Sequence, residues 1–455
     1  MARIRTDRLL PNAAPSTMAL SCALVVALGA SAPREAQALR VDYTLDFGAE
    51  RNDNLLLTPT DPLETTIMRP GLGVELLHDT SVLQMHLSGR VEYRHYDRRG
   101  LQDGVDGTFS GRVNWVAIPE RLSFSVVDQL TLQPVDTLAA DAPGNRQQVN
   151  VLSAGPTLQF EWGDDWRGSA ELRWIRSEAE VTDEFDSQRA DLALRATRRL
   201  SPGSRLSFNL QHQRVDFASD LVARDYDRTQ LFARWTRTLN RVDMAVDLGY
   251  SRIDYRRALA GYADGRSDPM FRGSLAWRPN DAHRFDLSYS SLFSDVASDS
   301  LADVGEEGGG IQAPPTGVPT GDTVVNASPF LERRLEGEYA WTSTRWTFSV
   351  SPFLDRLRYE DTDQFDQDGY GVGVEAGWRA RRNLRIGFTA ALDHNRYVNL
   401  DREDETRRYA LDARYQWVRH WSGVLTFARY ERRSTEPGQR ADQNLVSLAL
   451  TYHNR

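Results

Sequence analysis

The chain of 455 residues has no lysine, so all 55 of its basic residues are arginine, and it has one cysteine, Cys22. A single thiol excludes an intramolecular disulfide framework and a cysteine-ligated metal cluster. Long apolar runs are equally scarce. Only Met18–Ala30 qualifies, and it is shorter than the ~20 apolar residues that a membrane-spanning helix needs. With 26% charged residues and a mean hydropathy of −0.53, a helical membrane protein is excluded. Disorder is excluded as well, because 11 Trp, 16 Tyr and 17 Phe are too many aromatics for a chain that buries nothing. The formal net charge of −9 argues against a nucleic-acid partner.

The first residues read as an export signal. Arg3, Arg5 and Arg8 supply a positive start, Met18–Ala30 an apolar segment, and Ala36-Gln37-Ala38 a small-x-small cleavage site. Residues 1–38 are therefore expected to be a signal peptide and residues 39–455 the mature domain. Cys22 lies inside the apolar segment with Ala19, not Leu, three residues earlier, which does not fit a lipidation signal.

From residue 40 onward the hydrophobic period is two, not 3.6. Every odd position from Val41 to Ala49 is apolar, and the even ones are polar or Gly. A strand points alternate side chains to opposite faces, so such a segment has one oily and one wet face. The pattern recurs at Leu83/Met85/Leu87/Val91/Tyr93, Leu158/Phe160/Trp162, Ala190/Leu192/Leu194/Ala196, Phe285/Leu287/Tyr289, Tyr409/Leu411/Tyr415/Trp417 and Val446/Leu448/Leu450/Tyr452. About twenty such segments are present, each long enough for a tilted membrane strand. Short polar turns, at 78–81, 119–121, 163–165, 201–204, 239–241, 279–283, 342–344, 380–383 and His420, alternate with longer links. The long links fall at 51–66, 97–104, 133–148, 177–188, 218–225, 257–268, 295–328, 360–368, 395–406 and 434–441.

Strict alternation of short and long connections is the habit of a transmembrane β-barrel, with short periplasmic turns and long extracellular loops. The expected fold is therefore all-β: an antiparallel up-and-down barrel of about 20 strands, between 18 and 22, in the outer membrane. Trp115, Trp162, Trp166, Trp235, Trp277, Trp341, Trp346, Trp378, Trp417 and Trp421 all fall near a short turn. There they read as a periplasmic aromatic girdle, since Trp favours the membrane–water interface. The alternative is a row of ordinary core tryptophans.

Polar residues opposite the apolar face would line the lumen: Arg90, Glu92, Arg94, Arg112, Glu171, Arg173, Asp191, Arg195, Arg234, Asp247, Arg272, Arg334, Glu336, Glu338, Asp412 and Arg414. A barrel this wide cannot be filled by its own wall, so the interior is wet or plugged. The loop 295–328 carries Gly308–Gly310 and three prolines and is either a mobile cap or a constriction; its carboxylates at 295, 299, 303, 306 and 307 match no calcium motif. Catalysis is not expected. His86-Leu87-Ser88 sets an imidazole and a hydroxyl on one strand face, but toward the lumen, and no phosphate loop or His-Glu-x-x-His is present. No cofactor is expected.

Tyr43-Thr44-Leu45-Asp46-Phe47-Gly48-Ala49-Glu50-Arg51-Asn52-Asp53-Asn54-Leu55, with Thr58-Pro59 and Pro70-Gly71-Leu72 following, resembles β-barrel porins found with exopolysaccharide synthesis and exosortase (PEP-CTERM) loci of Gram-negative bacteria. The resemblance implies an outer-membrane barrel that accompanies or passes a polysaccharide, and it carries no catalytic residues. Outer-membrane lipid, a polar solute or polysaccharide, and the barrel-assembly machinery are the partners it implies. The chain departs from the usual terminal aromatic signal, ending Tyr452-His453-Asn454-Arg455. The expected function is a passive, porin-like conduit; the alternative is a structural or adhesive barrel with a blocked lumen.

Overall fold

The computed structural model describes residues 39–455, apart from 99, 140–141, 220–222, 258–262, 299–300 and 302–325. The expected signal peptide lies outside the described residues, as do most of the loop at 295–328 and its acids at 299, 303, 306 and 307. The described chain is a single antiparallel sheet of twenty strands. In order they are β1 (Arg40–Asn52), β2 (Thr65–Asp79), β3 (Leu83–Tyr96), β4 (Gly104–Ile118), β5 (Leu122–Pro134), β6 (Arg146–Trp162) and β7 (Trp166–Ala179). Then come β8 (Ser187–Ser201), β9 (Ser204–Phe217), β10 (Tyr226–Thr238), β11 (Val242–Tyr255), β12 (Gly265–Asn280), β13 (His283–Ser294) and β14 (Phe330–Thr342). The last six are β15 (Trp346–Tyr359), β16 (Gln367–Arg381), β17 (Leu384–Tyr397), β18 (Arg402–Val418), β19 (Trp421–Ser434) and β20 (Ala441–His453).

Each strand pairs with the next, and β1 closes on β20 from Thr44↔His453 to Asn52↔Leu445. Closure gives every strand a neighbour on both sides, which is the condition for a sheet to survive in hydrocarbon. The wall is oily outside. On β1, Leu45 is 50% exposed while its neighbour Asp46 is 7% exposed, the reverse of a soluble protein. Phe47, Leu194, Leu231, Leu248, Leu287, Leu354, Leu411 and Leu448 repeat this outward display. The chain is a transmembrane β-barrel of the outer-membrane type.

The nine turns at one end have two or three residues, and the links at the other end are longer, in strict alternation. Register shifts at Val116/Ile118, Arg199/Ser201, Trp277/Asn280, Arg379/Arg381 and Gln416/Val418 all sit beside short turns, where a bulge tightens the rim. At the turn after β6, Gly163 takes the left-handed φ of +69° that a tight connection requires. Ten of the eleven tryptophans gather at this rim, all but Trp174. Trp162 stacks on Trp166 at 5.8 Å, Trp346 on Trp378 at 5.4 Å and Trp115 on Phe124 at 5.4 Å, while Trp421 meets Tyr452 edge-on at 5.2 Å. Outward-facing rings in cross-strand contact make an interfacial girdle, not a core.

Strands run further into the long-loop end than the sequence indicates. The links expected at 51–66, 177–188, 257–268 and 395–406 shrink to 53–64, 180–186, 256–264 and 398–401. Ladder bonding continues above the membrane, where side chains on both faces can be polar and period two no longer marks the strand.

Candidate functional site

The interior divides along the barrel axis. On β18 the inward positions run from buried Arg402 and Asp404, at the long-loop end, to exposed Arg414 and Gln416 near the short turns. β8 repeats the gradient from Arg189 to Arg195, and β14 from Phe330 to Glu338. The lumen is therefore open toward the short turns and filled toward the long loops.

Of the residues expected to line it, Arg90, Glu92 and Arg94 belong to one network. Arg90 pairs with Asp46 and, at 3.4 Å, with Glu92; Arg94 lies 3.2 Å from Glu92 and 2.8 Å from Asp106. Arg69, which sequence reasoning missed, joins it through Glu50 at 3.1 Å. Arg234 grips Asp247 with two bonds of 2.7 Å, and Arg272 adds a third at 2.9 Å. Both guanidinium groups lie over the inward ring of Phe232, at 5.9 and 5.1 Å. Arg173 binds Thr157 at 2.7 Å and Glu171 at 3.3 Å. Asp191 accepts from Gln211 at 2.7 Å, Arg195 donates to Asn209 at 2.9 Å, and Arg334 pairs with Glu336. Arg112, Glu338 and Arg414 stand exposed, and Asp412 is half-buried. His86 is drawn to Glu75 at 3.3 Å.

The long-loop end is closed by contacts the sequence does not announce. Past Phe293 the chain turns inward, and Asp295 is buried between Arg189 and Arg228, with Ser298 Oγ donating to it at 2.8 Å. Burial alone would raise the Asp295 carboxyl; the two arginines reverse this and hold it well below the usual carboxylate range. Val296 and Ala297 follow it into an apolar cluster with Val149, Val151, Ile175, Phe185, Phe330 and Leu357. The β5–β6 link crosses the interior as well: Arg402 donates to the Leu138 carbonyl at 2.6 Å, and Arg432 to those of Leu138 and Ala139 at 3.1 and 2.9 Å. Asp404 neutralises both arginines at 2.8 Å. A third tie joins two links, Arg224 to Asp361, with the guanidinium 3.6 Å above the Tyr255 ring.

The described start of the longest loop, residues 295–298, thus packs into the barrel mouth, while the choice between constriction and cap for the rest of the loop falls on residues outside those described. Its one described acid, Asp295, is taken up by arginine. The signal that could have revealed these residues is weak: Arg402-x-Asp404 and Arg189 continue the inward parity of their strands, as do Val149 and Val151.

No protein-family model matches the chain, and no curated protein matches it. Among solved structures, the ferric enterobactin receptor PfeA of Pseudomonas aeruginosa is similar at 9% identity and a TM-score of 0.48, over 91% of this chain and 81% of that one. The FrpB iron transporter of Neisseria meningitidis matches at 11% identity and 0.47, over 92% and 81%. OpdQ of Pseudomonas aeruginosa matches at 8% and 0.40, over 92% and 99%.

Proposed function

We propose that this barrel is a passive, porin-like conduit for polar solutes in the outer membrane, narrowed at its external mouth by its own inward-folded links. The single observation that carries this reading is the gradient of interior exposure. Charged side chains of both signs stand in water over the half nearest the short turns, and a side-chain-closed constriction follows. A wall lined by paired Arg and carboxylate presents hydrogen-bond donors and acceptors at modest net charge, which suits neutral polar solutes such as sugars more than a strongly charged ion. Passage of an exopolysaccharide is the finer form of the proposal and rests on the resemblance of residues 43–72. No catalytic role is proposed for His86 or Ser88. Residues 1–38 are proposed to be removed on export.

The burial of Val296 and Ala297, with the half-buried Leu138 segment held by Arg402 and Arg432, favours a second reading, a blocked barrel that binds partners through its loops. Planar-bilayer recording separates them: a stable ion current supports the conduit, and silent insertion supports the blocked barrel. Within the conduit reading, Arg90→Gln with Arg94→Gln removes two positive charges beside Asp46, Glu92 and Asp106. The reversal potential in a salt gradient shifts toward cation selectivity; an unchanged potential places these residues outside the path.

A further inference from the structure

The barrel wall is not uniformly laced. β12 pairs with β11 from Val242↔Trp277 out to Asp254↔Gly265. Its ladder with β13 stops at Phe271↔Ser291, leaving Gly265–Met270 without a β13 partner. β13 nevertheless continues with β14 to Ser294↔Phe330. The end of the β13–β14 pair has left the wall and bent inward: Phe293 is 0% exposed, and Arg228 Nη1 donates to its carbonyl at 3.2 Å. Pro269 sits inside the unlaced stretch, and proline, lacking an N–H, is confined in sheets to edges of this kind.

Among the described residues, two side-chain ion pairs reach across this stretch. Arg266 Nη1 reaches Glu360 at 2.9 Å, and Asp268 lies 3.9 Å from Arg333 Nη2 on β14. Each pair sets a half-exposed arginine on a more buried acid, and two such contacts replace the continuous hydrogen-bond ladder found along the rest of this strand pair. Behind them Ile253, Tyr255, Met270, Phe293 and Leu331 form a buried apolar patch, bordered by the Arg224–Asp361 and Arg228–Asp295 pairs. The height also fits. Pro269 is eight residues from the girdle residue Trp277, which at ~3.3 Å per residue and a ~40° tilt is ~20 Å, near the outer edge of a ~25 Å apolar band. Its partner Tyr250 is the outward aromatic at that level.

We infer that this seam is a lateral passage through which an amphiphile with an acyl chain exchanges between the lumen and the outer leaflet. Its polar head follows the charged lumen while its chain crosses the apolar lining and leaves between β12 and β13. The inference rests on the conduit reading for access to the lumen.

The test closes the seam after folding. Asp268→Cys with Arg333→Cys, in a Cys22→Ser background, is reconstituted in vesicles and bridged with a short bis-maleimide. The probe is a fluorescent dodecanoyl lysophospholipid in the inner leaflet, extracted by external albumin, which is too large for the lumen. Unbridged protein makes the probe extractable several-fold faster than protein-free vesicles, and bridging returns the rate to that of protein-free vesicles. Equal rates with and without the bridge, or no acceleration by unbridged protein, overturn the inference. Ion current recorded from the same preparation keeps the two readings apart. A bridge-insensitive probe with normal current sinks the seam alone; absent current together with unaccelerated extraction sinks the conduit reading and the seam that rests on it.

Discussion

At the scale of the residue, the account turns on buried charges that are safe only in company. Asp295 is enclosed by Arg189 and Arg228, and removing one partner of a buried pair leaves the others uncompensated, at a cost of ~3–5 kcal/mol. Asp295→Ala is therefore expected to release the inward turn at 294–298 and to raise single-channel conductance while leaving the strand signal in circular dichroism intact. Unchanged conductance would mean that the turn lies outside the solute path. The acids of the β15–β16 link give the mouth a pH dependence. Burial pushes Glu360, Asp361 and Asp366 above the usual carboxylate range, against the pull of Arg266, of Arg224 and of the Tyr359 amide respectively. A group whose pKa is higher in the closed than in the open arrangement binds protons preferentially when closed, so acid favours closure. Asp295 works in the opposite sense, but only below the ordinary carboxylate pKa of ~3.9. Conductance is thus expected to fall between pH 7 and pH 4.5; a rise over that window would contradict the assignment.

At the scale of the element, period two made the strands, their number and both kinds of connection legible. The turn at 163–165 and the tryptophans of that rim needed nothing but sequence, because lipid demands an apolar outer face on every strand. The external ends were less legible for a physical reason. In Val149-Asn150-Val151-Leu152 both parities carry apolar residues, one set facing outward and the other packing on the inward-turned 294–298 segment. Alternation cannot say which face is which once the interior itself is dry. The bend of β13–β14 was similarly hidden, since Phe293 and Leu331 continue the outward parity of their strands and are buried only because the strands leave the wall. The outward rule remains testable where it holds. Leu231→Arg, on the lipid face of β10, is expected to cost ~2–4 kcal/mol in refolding into bilayers if it lies near the midplane. Thr236→Arg, on the inward parity of the same strand and half-buried near the short turn, should retain most of the stability in the same urea titration. Equal losses would remove the distinction between the two faces.

At the scale of the whole molecule, the barrel combines a laced wall, an aromatic rim at the short-turn end and a mouth folded in upon itself. The candidate lumen residues divide accordingly. Arg90, Glu92, Asp191 and Asp247 are absorbed into buried networks, whereas Arg195, Glu338 and Arg414 face water. Their common inward parity was readable, but whether each was buried depended on links at 135–139 and 294–298 that sequence pattern does not locate. All of this depends on a closed sheet with lipid on one side and water on the other. The most direct measurement compares two adjacent positions on β8 in vesicles, Leu194→Cys and Arg195→Cys, each in a Cys22→Ser background, for reaction with a small membrane-impermeant maleimide. The account predicts rapid labelling at position 195 and protection at position 194; equal labelling, or the reverse order, would contradict it.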